Sequence, residues 1–285
     1  MTNENDIYDG KLEFLELLKS EGYTDEIHNS SGKLWAAYCL SKKNIDIDVS
    51  FWAINLYVDK YKYLKDERIQ KQERCYYKYE IIDKNGIVYR GDTMTSFSNF
   101  IRRYFIITDD KLRNIGAKRC AERILGGQSL NEQIERFSKL AHCAGNLIPV
   151  PLCFNSERSG HFADCDYWDI VMYSVYKWCC SGNDRYIIDL LNRYNQNKHV
   201  GESLFRFKKW MENFHNNWFE FVEFNHLKAF VDVQSQYWYP KEFWKNHFAF
   251  NRKINELSEE EFYAAVKLIC DIIVDRCNEL DGCLN

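Results

Sequence analysis

Residues 145–162 read GNLIPVPLCFNSERSGHF. This stretch interrupts a chain that is otherwise patterned for helices. Pro149 and Pro151 are two of only 3 prolines in 285 residues, and they punctuate an apolar run that suits an extended segment over 145–155. Gly145-Asn146 before the run and Asn155-Ser156 after it are turn-forming residues. Arg158 and His161 follow within a few positions. Polar side chains carried on a short loop braced by an apolar strand are held in fixed places, which makes the stretch the first candidate for a site.

Outward from this segment, helical spacing dominates. Residues 11–20 (KLEFLELLKS) place Leu12, Leu15 and Leu18 on one face, and 33–43 form a second short helix candidate. Residues 97–105 and 129–141 return to the helical period, and 166–180 (DYWDIVMYSVYKWCC) read as a helix buried on most sides. Phe207, Trp210, Phe214, Trp218 and Phe221 recur every three or four positions, an apolar helical stripe. The last helix, 258–278, opens with Ser258 and Glu261 at capping-box spacing. The one strong β signal is Cys75–Asp83 and Ile87–Arg90, aromatic and β-branched runs either side of Lys84-Asn85-Gly86. The expected fold is therefore mainly α (α+β): one domain over 1–285, with an N-terminal helical part over 1–70, a β-hairpin over 75–90 and a helical core over 95–285.

Composition narrows the function classes. Hydrophobic residues at 46% and aromatics at 16% provide for a packed core and exclude a disordered chain. The net charge of -4 gives no global attraction to nucleic acid or to an anionic membrane. No long uncharged apolar run predicts a membrane span, and the polar N-terminus carries no secretory signal, so a cytoplasmic location is expected. The 11 cysteines are odd in number and scattered, which favours reduced thiols over disulfides. The nearest approach to a metal set is His142, Cys143, Cys153, His161 and Cys165, whose spacing matches no standard ligand pattern.

Two sets of polar residues invite chemistry. Within the central stretch, Asn155, Arg158 and His161 are the catalytic candidates, and Asn146, Asp164, Asp166 and Asp169 the binding candidates. An imidazole beside carboxylates suits a general base or a divalent ion, and a guanidinium suits a phosphate or carboxylate. Each has a structural alternative: Asp164 or Asp166 as a helix N-cap, Asn155-Ser156 as a turn, Arg158 as the ion-pair partner of a nearby acid. The second set is Arg102, Arg103, Lys111, Arg113, Lys118, Arg119 and Arg123 against Asp109, Asp110 and Glu122, a local net of +4. Arg102, Arg103, Lys118 and Arg119 are the candidates for phosphate contact, with a solvated helix face as the alternative. The aromatics from Phe205 to Phe250 are read as core packing in preference to a base-stacking surface.

The central stretch also resembles the HNH-type nuclease domain of modification-dependent (type IV) restriction enzymes. Gly145-Asn146-Leu147, Pro151, Asn155-Ser156 and Ser159-Gly160-His161-Phe162 fall at the matching positions. That resemblance implies metal-assisted phosphodiester cleavage with a histidine base on the preceding strand. Residues 110–142 offer no such motif; the only upstream histidine there is His142, three residues before the glycine. A broader pattern resembles a family of uncharacterised bacterial and phage proteins. Ala144–Pro149, Arg158-Ser159-Gly160, Asp166-Tyr167-Trp168-Asp169 and the aromatic tail from Phe214 to Tyr239 carry it, with Arg-Ser-Gly standing where that family has Arg-Gly. It implies a fold and no chemistry. The sequence thus leads to a binding or interaction protein linked to phage defence or nucleic-acid metabolism, with a metal-dependent nuclease or phosphodiesterase as the alternative. Only that alternative implies a cofactor, a divalent metal.

Overall fold

A computed structural model describes residues 68–71, 79–83, 85–95, 97–108, 123, 127, 129–140, 143–159, 167–192, 198–249 and 256–281. The helices expected over 11–20 and 33–43 lie outside these residues, as do His142, His161, Asp164, Cys165, Asp166, Lys118 and Arg119. The protein is mainly helical with small β elements. The described residues cluster into two compact units, one holding those of 95–146 and 252–285, the other those of 49–94 and 147–251.

The second unit contains a four-stranded antiparallel sheet in the order β1 (Arg68–Lys71), β2 (Tyr79–Ile82), β3 (Val88–Thr93), β4 (Leu147–Pro151). The hairpin expected at 75–90 is its centre. Asp83 closes that turn: its Oδ1 accepts the N–H groups of Asn85 and Ile87 at 2.8 and 2.9 Å, and its backbone N–H donates to the Ile87 carbonyl at 2.9 Å. Gly86 takes φ +78°, the left-handed conformation a short hairpin loop needs. The extended segment expected over 145–155 is narrower, because 144–146 form a 3-10 turn and the chain re-enters a helix at Phe154. β4 pairs with β3, Tyr89 opposite Pro151 and Thr93 opposite Leu147. β1 falls at the end of the part expected to be helical, where Ile69 is paired with Ile81.

Helices follow in the same unit: α3 (Phe154–Ser159), α4 (Trp168–Ser181), α5 (Arg185–Leu191), α6 (Val200–Glu212) and α7 (Trp218–Phe224). A minimal two-stranded sheet, β5 (Val231–Asp232) with β6 (Tyr239–Pro240), completes them. The aromatic stripe that reads as one helix is divided between α6 and α7. His215 and Asn216 turn left-handed at φ +52° and +54°, and the Asn217 side chain caps α7 by accepting from the N–H groups of Phe219 and Glu220. The rings nevertheless stay in one cluster, with Trp210, Phe214 and Phe221 packed pairwise at centroid distances of 5.4–5.9 Å. They are buried, in keeping with a core reading of the stripe.

The other unit packs α1 (Phe97–Thr108) and α2 (Glu132–Leu140) with α8 (Glu259–Asp281). Phe100, Phe137 and Phe262 form its aromatic centre. The capping box is present: the Ser258 N–H donates to Glu261 Oε2 at 3.0 Å, and the Glu261 N–H donates to Ser258 Oγ at 3.2 Å. Among the described residues, no helix is long and apolar enough to cross a membrane.

Candidate functional site

The stretch that begins at Gly145 divides between the units. In the first, Gly145 sits so close to α8 that a Cβ would lie 2.3 Å from the Ile273 carbonyl oxygen and 2.6 Å from Cys277 Sγ. Its N–H donates to Cys277 Sγ at 3.1 Å and its carbonyl accepts from Arg276 Nη1 at 3.0 Å. Asn146 is fully buried and bonded to Thr95, accepting from its N–H (3.0 Å) and Oγ1 (2.8 Å) and donating to its carbonyl (3.2 Å). Cys143, one of the metal candidates, lies with its sulfur 3.5 Å from Cys277. The Cys143 contact and burial push the Cys277 thiol well above its usual range.

In the second unit, β4 leads into α3 through Leu152 and Cys153, the latter exposed and left-handed at φ +70°. Asn155 lies half-buried in the first turn of α3. Arg158, one helical turn on, points to the sheet. Its Nη2 and Nε donate to Asp92 Oδ2 at 2.8 and 3.3 Å, and Nη2 reaches the Thr93 carbonyl at 3.3 Å. Both side chains of this ion pair have no solvent exposure. Trp168 Nε1 donates to the same carboxylate oxygen at 3.2 Å, with the Arg158 guanidinium 5.9 Å from the indole centre. Arg158 is thus engaged with Asp92, and the pair fastens α3 to β3 and to the start of α4.

The next residue, Asp169, centres a second buried cluster. Its Oδ1 accepts the Ile170 N–H at 2.9 Å; its Oδ2 accepts the Phe243 N–H at 2.9 Å and lies 2.6 Å from His247 Nδ1. A carboxylate only accepts, so Nδ1 carries a proton in this contact. Nε2 is buried and, like Trp244 Nε1, finds no partner among the described residues. The His247 ring lies against Trp244 with centroids 3.6 Å apart and planes tilted by 31°, and meets Tyr167 edge-on at 5.6 Å. α4 itself starts with Tyr167 at its N-cap and no side chain capping it.

Within the second unit, then, Asn155 and Arg158 share α3 while Asp169 is tied to His247, a residue that no local motif singles out and that stands 78 positions away. Of the basic candidates, Arg103 is half-buried and donates through Nη2 to the Leu257 carbonyl at 2.6 Å, and Arg102 stands on the backbone of α1. Among the described residues, no group of three or more His, Cys, Asp or Glu side chains is arranged to hold a metal.

Beside the β4–α3 turn lies a groove of about 530 Å³ lined by Gly86, Ile87, Val88, Leu152, Gly201, Glu202, Phe205 and Arg206. The hairpin turn and β3 supply one wall, Leu152 the floor's edge, and α6 the other wall. α6 buries Phe207, Trp210 and Met211 but leaves Phe205 57% exposed. Glu157 of α3 supports that wall from behind, accepting from Ser203 Oγ at 2.6 Å and from Arg206 Nη2 at 3.4 Å. With an apolar lining and an acid and a base at its rim, the arrangement suits non-covalent capture of an apolar group. Neither a family model, nor a curated protein, nor a solved structure matches the chain.

Proposed function

We propose that this chain is a binding protein that seats a segment of a partner in the groove between the 85–88 hairpin and α6. The observation that carries the proposal is Phe205: a large aromatic held 57% exposed at the wall of an apolar groove, on a helix whose other large rings are buried. The buried polar clusters around Asp92 and Asp169 support it by fixing the framework on which that surface is built. The resemblance to phage-related proteins is what points to a role in phage defence or nucleic-acid metabolism. A photo-crosslinking residue placed at position 205 tests the proposal in cells. The expected result is a discrete crosslinked partner that is absent when Gly201→Leu fills the groove; crosslinks unchanged by that substitution overturn it.

Phosphodiester cleavage is the second reading, and one observation favours it. The Asp169–His247 pair is an imidazole oriented by a carboxylate, the kind of base the local sequence lacks. Incubation with Mg²⁺ or Mn²⁺ and labelled DNA or RNA, comparing wild type with His247→Gln and His161→Ala, decides it. Cleavage lost in either variant replaces the binding proposal with this one.

A further inference from the structure

The charges at the groove's rim limit what fits it. Resting on the reading of the groove as the recognition surface, we infer that the bound segment is a peptide carrying an aliphatic or aromatic side chain beside a lysine or arginine. The apolar half of that description follows from the lining. Ile87, Val88, Leu152 and Phe205 supply hydrocarbon, and a Cβ at Gly86 or Gly201 would meet nothing within 4 Å, so the space above both glycines is open. A volume of about 530 Å³ lies within the range of roughly 300–1,000 Å³ that holds a specific ligand.

The basic half follows from charge complementarity. The Arg206 guanidinium lies between two carboxylates, Glu157 at 3.4 Å and Glu202 at 3.7 Å. Two acids around one base leave a net negative charge. Glu157 is 13% exposed, bonded to Ser203 and Arg206 and absent from the lining, whereas Glu202 is 69% exposed and lines the groove. The neighbouring cations of α6 are already engaged, Lys208 with Asp184 at 2.6 Å and Lys209 with Glu212 at 3.0 Å. His199, 3.5 Å from Glu202, adds charge only when protonated. A cation beside the buried anchor meets Glu202, while a carboxylate there is repelled, and such juxtapositions set specificity more than raw affinity.

Panning a random linear peptide library displayed on phage against the full chain tests this, with the Gly201→Leu chain as the counter-target. Leucine at that exposed position fills the groove without reaching the core, and an unchanged urea midpoint verifies the fold. The expected selection is peptides with an aliphatic or aromatic residue next to Lys or Arg. A labelled peptide of the selected sequence should bind Gly201→Leu and Glu202→Lys at least about tenfold more weakly than wild type. If groove-dependent peptides lack the basic residue, or bind Glu202→Lys as well as wild type, the charge assignment is overturned and the groove reading stands. If no selected peptide distinguishes wild type from Gly201→Leu, the groove reading falls and this inference falls with it.

Discussion

Asn146 and Arg158 lie twelve positions apart in one stretch of sequence, both fully buried, and they solve the problem of a buried polar group differently. Asn146 is neutral, and Thr95 supplies two donors and an acceptor for its amide. Arg158 carries a charge, which only a counter-charge compensates, and Asp92 is brought from β3 to do so. The contrast separates two kinds of framework polarity: an amide that pins local backbone, and an ion pair that fixes a helix to a sheet. It also shows why the polar residues most visible in the sequence are not the ones that face solvent. The groove's wall is made by Gly201 and Phe205, which have no chemical signature at all.

The ion pair is where the contrast is easiest to break. Arg158→Met leaves the Asp92 carboxylate buried without its cation and is expected to cost about 3–5 kcal/mol in urea unfolding. Adding Asp92→Asn removes the stranded charge and keeps an acceptor for Trp168 Nε1, so the double variant should be more stable than Arg158→Met by at least about 1 kcal/mol. A single substitution costing under about 1 kcal/mol would make the pair ornamental.

The amide end should be gentler. Asn146→Ala strands the Thr95 N–H and hydroxyl in a buried site, and about 1–3 kcal/mol is expected from the loss of their acceptor. Asn146→Asp tests the same geometry from the other side: it keeps the acceptor but replaces the Nδ2 donor that reaches the Thr95 carbonyl, and it buries a charge. Its loss should exceed that of Asn146→Ala at pH 7 and shrink as pH is lowered through the range where a buried carboxyl protonates. Equal losses for the two variants at every pH would remove the distinction between amide and charge on which the comparison rests.

What the sequence discloses here is what local physics fixes. Asn85-Gly86 between β-patterned runs is a hairpin, Ser258 with Glu261 is a capping box, and the apolar run at 168–181 is a buried helix, because each depends on residues within one turn of each other. The pairing of β4 with β3 and the meeting of Asp92 with Arg158 span more than fifty positions and leave no periodic trace. The break at His215–Asn217 is hidden for a different reason. α6 and α7 contribute rings to the same cluster, so the aromatic period runs on through a turn that the backbone does not share. His247 is the extreme case: only the fold brings it to Asp169.

A weaker charged contact gives a third point on the scale. Asp184 accepts from Lys208 Nζ at 2.6 Å and from Trp178 Nε1 at 3.0 Å, and these bonds, that of Lys208 first, hold its carboxyl below the usual carboxylate range. A depressed folded-state pKa stabilises above the unfolded value of about 3.9, and that contribution is lost as pH falls through the folded one. Lys208→Met should therefore raise the Asp184 pKa in a carboxyl NMR titration and reduce stability at pH 7 but not below both pKa values. The side chain is 35% exposed, so solvent screening keeps the effect to a few tenths of a kcal/mol, on the order of a surface pair. A loss at pH 7 as large as that of Arg158→Met would abolish the difference between buried and exposed ion pairs in this molecule.

The smallest expected effect is the most telling for function. Phe205 and Phe207 stand two positions apart on α6, one 57% exposed and the other with no exposure. Phe207 packs against Trp178 at 5.2 Å and Trp210 at 6.3 Å, so Phe207→Ala should cost about 3–5 kcal/mol through lost burial and the cavity left behind. Phe205 has the Lys209 ammonium 5.9 Å above its ring and otherwise faces the groove, so Phe205→Ser should leave stability within about 0.5 kcal/mol. An exposed ring of that size contributes little to folding, which leaves it available to the partner proposed above. If Phe205→Ser instead destabilises the protein by more than about 1 kcal/mol, the ring belongs to the framework with Asn146 and Arg158, and the groove loses the residue that marks it as a surface for binding.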